Sequence, residues 1–186
     1  MVWIHGGAFV TGESRDYDPT PLVERGVMVV TINYRLGFLG FFAHPPLDAE
    51  GHLNANYWLM DQQLALKWVQ RNITAFGGDP SRVAIVGQSA GGTSVYSNLA
   101  SPRAAGLFHR TVAESATMTL FQKFDTMPQL VDAENEVGIK VAASAGRGNQ
   151  TGQCLRATAA SEFVAQQLAR QRGKTWQRKW QWEPKP

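Results

Sequence analysis

The sequence predicts an α/β fold in which a mostly parallel sheet is flanked by helices. Short apolar, β-branched runs alternate along the chain with stretches whose apolar residues recur every three or four positions. The uncharged run 27–32 is typical of a strand buried on both faces of a parallel sheet. Of the 186 residues, 44% are hydrophobic and 18% are charged. The chain can therefore bury one substantial core.

The predicted elements follow in order along the chain. Strands are expected at 2–4, 27–32, 83–86 and 111–113, and helices at 57–73, 93–99, 129–145 and 160–172. The turn from Gly77 to Pro80 ends the first helix and directs the chain into the third strand. The stretch 38–56 is rich in Gly, Pro and Asn and is predicted to be a loop. Its His44 and His52 are interpreted as loop residues and not as catalysts.

The turn after the third strand carries the strongest functional signal. Gly87-Gln88-Ser89-Ala90-Gly91 places one serine between an apolar strand and a helix, which is the G-x-S-x-G nucleophile elbow of α/β-hydrolases. A side chain at Gly87 or Gly91 would collide with the neighbouring strand or helix, so glycine allows the sharp turn. The sequence therefore predicts Ser89 as a nucleophile beside a helix N-terminus, although the five-residue pattern also occurs in plain loops.

The same turn has the glycine spacing of a phosphate-binding P-loop. Thr93 stands where that motif requires a lysine to neutralise phosphate charge. A nucleotide-binding function is therefore disfavoured, and we expect neither a cofactor nor a metal ion.

A second glycine-rich loop follows the first strand. His5-Gly6-Gly7-Ala8 has the H-G-G pattern of an oxyanion loop, whose backbone N–H groups face a substrate. An ordinary glycine turn could have the same composition. An H-G-G loop and a G-x-S-x-G elbow in this chain order nevertheless support each other.

Charge divides the chain into a core at 1–169 and a tail at 170–186. The core carries 12 Lys and Arg against 14 Asp and Glu, whereas the tail carries six against one. The tail interleaves cations with tryptophans, as nucleic-acid-binding segments can. It contains no recognised module, so we predict a loosely ordered end without a nucleic-acid partner.

Other features leave the compartment undetermined. Cys154 is the only cysteine, which excludes an intrachain disulfide. Asn72 and Asn149 begin N-x-T triplets, which are glycosylated only in a eukaryotic secretory setting. No run approaches the length of a membrane span.

Four motifs together indicate a family. The H-G-G loop is followed by Asn33-Tyr34-Arg35-Leu36-Gly37, by Phe76-Gly77-Gly78-Asp79-Pro80 and by the elbow. In this combination, residues 1–160 resemble the type-B carboxylesterase and cholinesterase family. The resemblance implies a partial α/β-hydrolase fold truncated at both ends, because members of that family are much longer. It also implies the strand order 27–32, 2–4, 83–86, 111–113 and hydrolysis of small-molecule carboxylic esters through a serine acyl-enzyme.

Carried over by position, the resemblance implies a role for each site residue. Ser89 matches the nucleophile, and the backbone N–H groups of Gly7, Ala8 and Ala90 match the oxyanion hole. His5 would shape the oxyanion loop and would not transfer protons.

Four positions depart from the family pattern. Gln88 stands where choline-selective members have Glu, which disfavours acyl-choline substrates. Trp58 replaces a glycine, and Ala116 replaces another. Arg147 lies near where many members have a cysteine that pairs with the one matching Cys154, so Cys154 would be unpaired.

The chain does not supply a complete catalytic triad. A serine esterase needs a base and a carboxylate, which in α/β-hydrolases follow the serine as acid and then histidine. After Ser89 the one histidine is His109, and residues 90–108 contain no Asp or Glu. We therefore expect a fragment that is inactive alone, with His109 in a structural segment. The alternative is a non-catalytic, esterase-like interaction domain, which the retained Ser89 and oxyanion loop disfavour.

The implied strand order also predicts self-association. The outer neighbours of strands 27–32 and 111–113 would belong to parts of the family fold that this chain does not contain. Both strands would then be unpaired edges, which favour pairing with another chain.

Overall fold

The computed structural model describes residues 1–51, 56–116, 127–147 and 150–173. The strands are β1 (Val2–Ile4), β2 (Val30–Ile32), β3 (Ala84–Gln88) and β4 (Arg110–Glu114). The helices are α1 (Thr20–Val23), α2 (Gly37–Phe41), α3 (Pro45–Asp48), α4 (Tyr57–Asn72), α5 (Ala90–Ala100), α6 (Met127–Ser144), α7 (Gly152–Arg156) and α8 (Ala160–Gly173). The predicted α/β alternation is confirmed.

The four strands form one parallel sheet in the order β2-β1-β3-β4. This is the strand order that the resemblance implied. Ile4 at the end of β1 lies beside Gly87 of β3, and Gly87 lies beside Ala113 of β4. The loops that follow β1, β3 and β4 therefore leave the sheet at the same end, where the carboxyl ends of these parallel strands lie.

The second strand is shorter than the sequence predicted. Val2 pairs with Val30 and Ile4 with Ile32, so the strand covers three residues of the run 27–32. Just before it, the Met28 carbonyl accepts from the Met1 ammonium at 2.7 Å. The β-branched run 27–32 satisfies the side-chain preference of a strand over its whole length. The ladder is limited by the three residues of β1 that pair with it.

The stretch 38–56 is not the plain loop that the sequence predicted, because α2 and α3 lie at its start. Phe42 and Leu47 are buried in a second hydrophobic cluster against residues of α6, α7 and α8. Packing against distant helices therefore stabilises these short helices, which local composition does not reveal. His44 is 3% exposed, and its Nε2 lies 2.7 Å from Oε1 of Gln150. His52 lies outside the described residues.

The main core lies between the sheet and the helices α4 and α5. Its buried members are Val2, Ile4, Ile32, Tyr34, Trp58, Leu59, Leu66, Val69, Ile73, Val83, Ile85 and Val95. A buried polar contact also joins the two helices, because Gln62 of α4 donates to the Ser94 hydroxyl of α5 at 3.0 Å. Asn98 of α5 donates in turn to Oε1 of Gln62 at 3.0 Å. The helix that carries the elbow is therefore fixed to its neighbour.

Helix α8 continues to Gly173, beyond residue 169, where the charge pattern placed the end of the core. Residues 174–186 lie outside the described part of the chain, so the loosely ordered tail stays a prediction. Among the helices that are described, none combines the length and apolarity that a membrane-spanning helix needs.

The turn that leads into β3 offers a test by pH. The Asp79 carboxylate accepts hydrogen bonds from the hydroxyl and N–H of Ser81 and from Nε of Arg82, which lower its pKa to about 2. Because an unfolded aspartate titrates near pH 3.9, stabilisation from these bonds is complete above that pH. It is lost as the pH falls towards 2.

We expect Ser81→Ala to raise the Asp79 pKa, since the hydroxyl bond is the largest cause of the shift. An NMR titration of the Asp79 carboxyl carbon measures it, and Ser101→Ala is the control. An unchanged titration in Ser81→Ala would show that another interaction lowers this pKa.

Candidate active site

Ser89 lies at the turn between β3 and α5 with φ 55° and ψ −119°. A non-glycine residue in this region is strained, and such strain persists only where the surroundings hold it. The Ser89 N–H donates to the Glu114 carbonyl at the end of β4 (2.9 Å), and its carbonyl accepts from the Thr93 N–H (2.9 Å). Its side chain forms no cap on α5. The backbone is thus fixed on both sides while the hydroxyl is left available.

The glycines around Ser89 are required by close contacts. A methyl group on Gly91 would lie 2.0 Å from the Ile4 carbonyl oxygen of β1, and one on Gly87 would lie 2.4 Å from the Gly91 carbonyl oxygen. Both distances are far below van der Waals contact. The prediction that side chains at these positions would collide with neighbouring elements is confirmed.

The H-G-G loop lies beside the elbow at the carboxyl ends of the strands. A methyl group on Gly6 would lie 2.9 Å from the Gln88 carbonyl oxygen and 3.3 Å from Cβ of Ser89. Two motifs that are far apart in the sequence therefore lie side by side, with no room for a side chain at Gly6, because β1 and β3 are neighbours in the sheet.

The loop backbone leaves amide groups unpaired. Gly7, Ala8 and Phe9 all have positive φ, at 106°, 55° and 60°. The Gly7 carbonyl accepts from two later N–H groups of the loop, at 3.0 and 3.1 Å. Within the described part of the chain, neither the Gly7 N–H nor the Ala8 N–H donates to an acceptor. Ala90 begins α5, where N–H groups have no intrahelical partner. An oxyanion hole at Gly7, Ala8 and Ala90 stays a prediction that these free donors favour.

His5 is enclosed by the loop that follows it. It is 1% exposed, its Nδ1 lies 2.8 Å from the Gly6 carbonyl oxygen, and its ring stacks on Tyr34 at 4.5 Å. The Tyr34 hydroxyl donates to the His5 carbonyl at 2.7 Å. Burial raises the pKa of Tyr34, so its hydroxyl keeps the donated proton. These contacts agree with a shaping role for His5.

His109 lies at the opposite end of the sheet from Ser89. Its N–H donates to the Val83 carbonyl at 2.8 Å, and its Nδ1 accepts from the Val83 N–H at 3.3 Å, just before β3 begins. Ser89 follows the other end of β3. At roughly 3.3 Å per strand residue, the two lie about 20 Å apart. His109 therefore cannot take a proton from Ser89. No group of His, Cys, Asp and Glu side chains that could hold a metal ion occurs among the described residues.

Sequence reasoning missed a cluster of aromatic rings beneath the loop. Phe9 packs on Trp58 (centroids 4.8 Å apart), on Phe41 (5.5 Å) and on Tyr34 (6.5 Å). Trp58 departs from the family pattern, but the sequence does not indicate which residues it contacts. The four rings come from four separate segments, so no local period connects them.

The other residues involved in departures from the family pattern also have defined positions in the structure. Cys154 is a free, half-buried thiol on α7. Nη2 of Arg147 donates to both carboxylate oxygens of Glu162 in α8, at 2.8 and 3.0 Å. Ala116 follows β4, and its Cβ lies against Gly92 of the elbow helix.

The contact at Gly91 generates a test of the site. Replacing a helical glycine by alanine usually stabilises a helix by about 1 kcal/mol. Because the new methyl group would overlap the Ile4 carbonyl, we expect Gly91→Ala instead to destabilise the chain, by about 1–3 kcal/mol or more.

Chemical denaturation monitored by circular dichroism measures this change. Gly152→Ala is the matched control, since its methyl group would meet no atom closer than 3.3 Å. A stabilised Gly91→Ala variant would contradict the close approach of α5 to β1.

Comparisons with known proteins give consistent matches. A profile described as "Carboxylesterase family" matches residues 1–185. The chain is 43% identical over 171 residues to a cocaine esterase from Oryctolagus cuniculus, and the aligned region covers 89% of this chain and 30% of the relative. It is also 43% identical over 171 residues to an acylcarnitine hydrolase from Mus musculus, and that aligned region covers 89% of this chain and 28% of the relative.

A solved structure of a PNB esterase superposes with a TM-score of 0.78 at 36% identity, and the match covers 93% of this chain and 34% of that one. The chain therefore spans only about 30% of the length of the curated relatives that it matches.

Proposed function

Because this chain belongs to the carboxylesterase family, we propose that it is part of an enzyme that hydrolyses small-molecule carboxylic esters with Ser89 as its nucleophile. Its fold is part of an α/β-hydrolase fold. One observation carries the proposal: the loop with free N–H groups lies against the strained serine turn. A methyl group added to Gly6 would lie 3.3 Å from Cβ of Ser89.

The proposed reaction has two halves. The Ser89 hydroxyl oxygen attacks the acyl carbon of the ester while its proton passes to a base, and a tetrahedral intermediate forms. The N–H groups of Gly7, Ala8 and Ala90 stabilise the negative oxygen of that intermediate. Its collapse breaks the bond to the alcohol, which takes up the proton and leaves an acyl-enzyme. Water then releases the carboxylic acid and restores the serine.

The base and its carboxylate partner come from outside this chain in the proposal. His109 is about 20 Å from Ser89 at strand spacing, and His5 is enclosed by its own loop. Losing the base and acid of a triad leaves only about 10³–10⁴-fold acceleration over water. The chain alone is therefore expected to hydrolyse esters no better than its Ser89→Ala variant.

Complementation tests the assignment of Ser89. The chain is co-expressed with the PNB esterase segments that lie outside the aligned region, and hydrolysis of a p-nitrophenyl ester is measured on the purified complex. We expect hydrolysis that Ser89→Ala lowers by at least about 10³-fold. Ser97→Ala is the matched control, because Ser97 lies on the same helix and, among the described residues, its hydroxyl donates to the Thr93 carbonyl of that helix at 3.1 Å.

Two outcomes would count against this function. A complex that hydrolyses the ester equally well with Ser89→Ala would exclude Ser89 as the nucleophile. A well-formed complex that never hydrolyses the ester would favour the alternative, a non-catalytic interaction domain.

Self-association is the second expectation for the isolated chain. In the described residues β2 and β4 are the outer strands of the sheet, and Val112 of β4 is 47% exposed. Unpaired edge strands with exposed apolar side chains pair readily with other chains. We expect oligomers at micromolar concentration in sedimentation velocity, and fewer of them with Val112→Lys. A compact monomer in the unmodified chain would contradict this expectation.

A further inference from the structure

The loop that carries the free N–H groups holds two strained residues in succession. Ala8 and Phe9 have φ of 55° and 60°, a left-handed conformation that side chains disfavour. Neither is glycine, so the conformation must be maintained by contacts elsewhere. The direction of the Gly7 and Ala8 N–H groups depends on this conformation.

Backbone hydrogen bonds hold the two ends of this turn. The N–H groups of Val10 and Thr11 donate to the Gly7 carbonyl at 3.0 and 3.1 Å, and the Gly37 N–H donates to the Phe9 carbonyl at 2.7 Å. The Ala8 side chain is exposed. The side chain that anchors the turn to the core is therefore that of Phe9.

Trp58 is the ring closest to Phe9. Their centroids lie 4.8 Å apart at 59°, a tilted arrangement that aromatic pairs favour. Trp58 also stacks on Phe41 at 5.4 Å and 18°, and Phe41 packs on Phe9 at 5.5 Å. Phe9 thus packs against a stacked pair of rings, one from the second residue of α4 and one from the end of α2.

Within the described residues, Trp58 makes its contacts through the faces and edges of its ring. The residue is 6% exposed, and its Nε1 has no acceptor among these residues. The contacts that the structure shows for Trp58 at the loop are therefore packing contacts with Phe9 and Phe41.

We propose that Trp58 is a positioning residue that holds the turn 7–9 in its left-handed conformation through Phe9. It thereby aims the Gly7 and Ala8 N–H groups at the space beside Ser89. The inference rests on the proposed function for the use of those N–H groups, but the loop conformation can be measured without any enzymatic activity.

Hydrogen exchange of single amides, followed by NMR on the full chain, tests the proposal. In Trp58→Ala we expect the Val10, Thr11 and Gly37 amides to exchange at least tenfold faster, because their hydrogen bonds close the turn. Trp58→Phe restores slow exchange, since a ring still packs on Phe9. The His109 amide, bonded to Val83 at the other end of the sheet, keeps its rate in both variants.

Trp68→Ala is the matched control, because Trp68 lies on the same helix, is 42% exposed and contacts Phe76 and not the loop. If Trp58→Ala does not fold, Phe9→Leu removes the same ring contact and is expected to accelerate the same three amides. Unchanged exchange in the turn, or equal acceleration of the turn and of His109, would overturn the proposal. Loss of Ser89-dependent hydrolysis would not affect this result, so the two hypotheses fail separately.

Discussion

The contact of β1 with β3 and α5 is the constraint on which the rest of the site depends. Parallel pairing places Ile4 beside Gly87, and the Ile4 carbonyl lies so close to Gly91 that only glycine fits. The chain must therefore leave β1 and β3 at the same end of the sheet and turn sharply after both. The H-G-G loop and the serine turn are two consequences of one strand pairing.

Much of this arrangement could be predicted from the sequence. Both glycine motifs are local, and each follows an apolar run, so their place at strand ends was evident before the structure. The long helices were predicted within two or three residues, and for α4 the prediction came from apolar residues that recur every three or four positions. The strand order came from the resemblance to a family and not from any pattern within the chain.

What could not be predicted depends on contacts between distant segments. The helices α2 and α3 are stabilised by Phe42 and Leu47 packing against α6, α7 and α8, so their sequences look like a loop. The shortening of β2 follows from its register with β1. The rings packed around Phe9 of the H-G-G loop come from positions 9, 34, 41 and 58, and only the fold brings them together.

The H-G-G loop and the serine turn lie close enough for their protons to be observed together by NMR. We expect a nuclear Overhauser effect between the α-protons of Gly6 and the β-protons of Ser89, since a methyl group on Gly6 would lie 3.3 Å from Cβ of Ser89. The cross-strand signals between Val2 and Ile85 report whether the sheet itself has formed. A chain that shows the Val2–Ile85 signals without the Gly6–Ser89 signal would show that the two motifs lie apart although the sheet has formed.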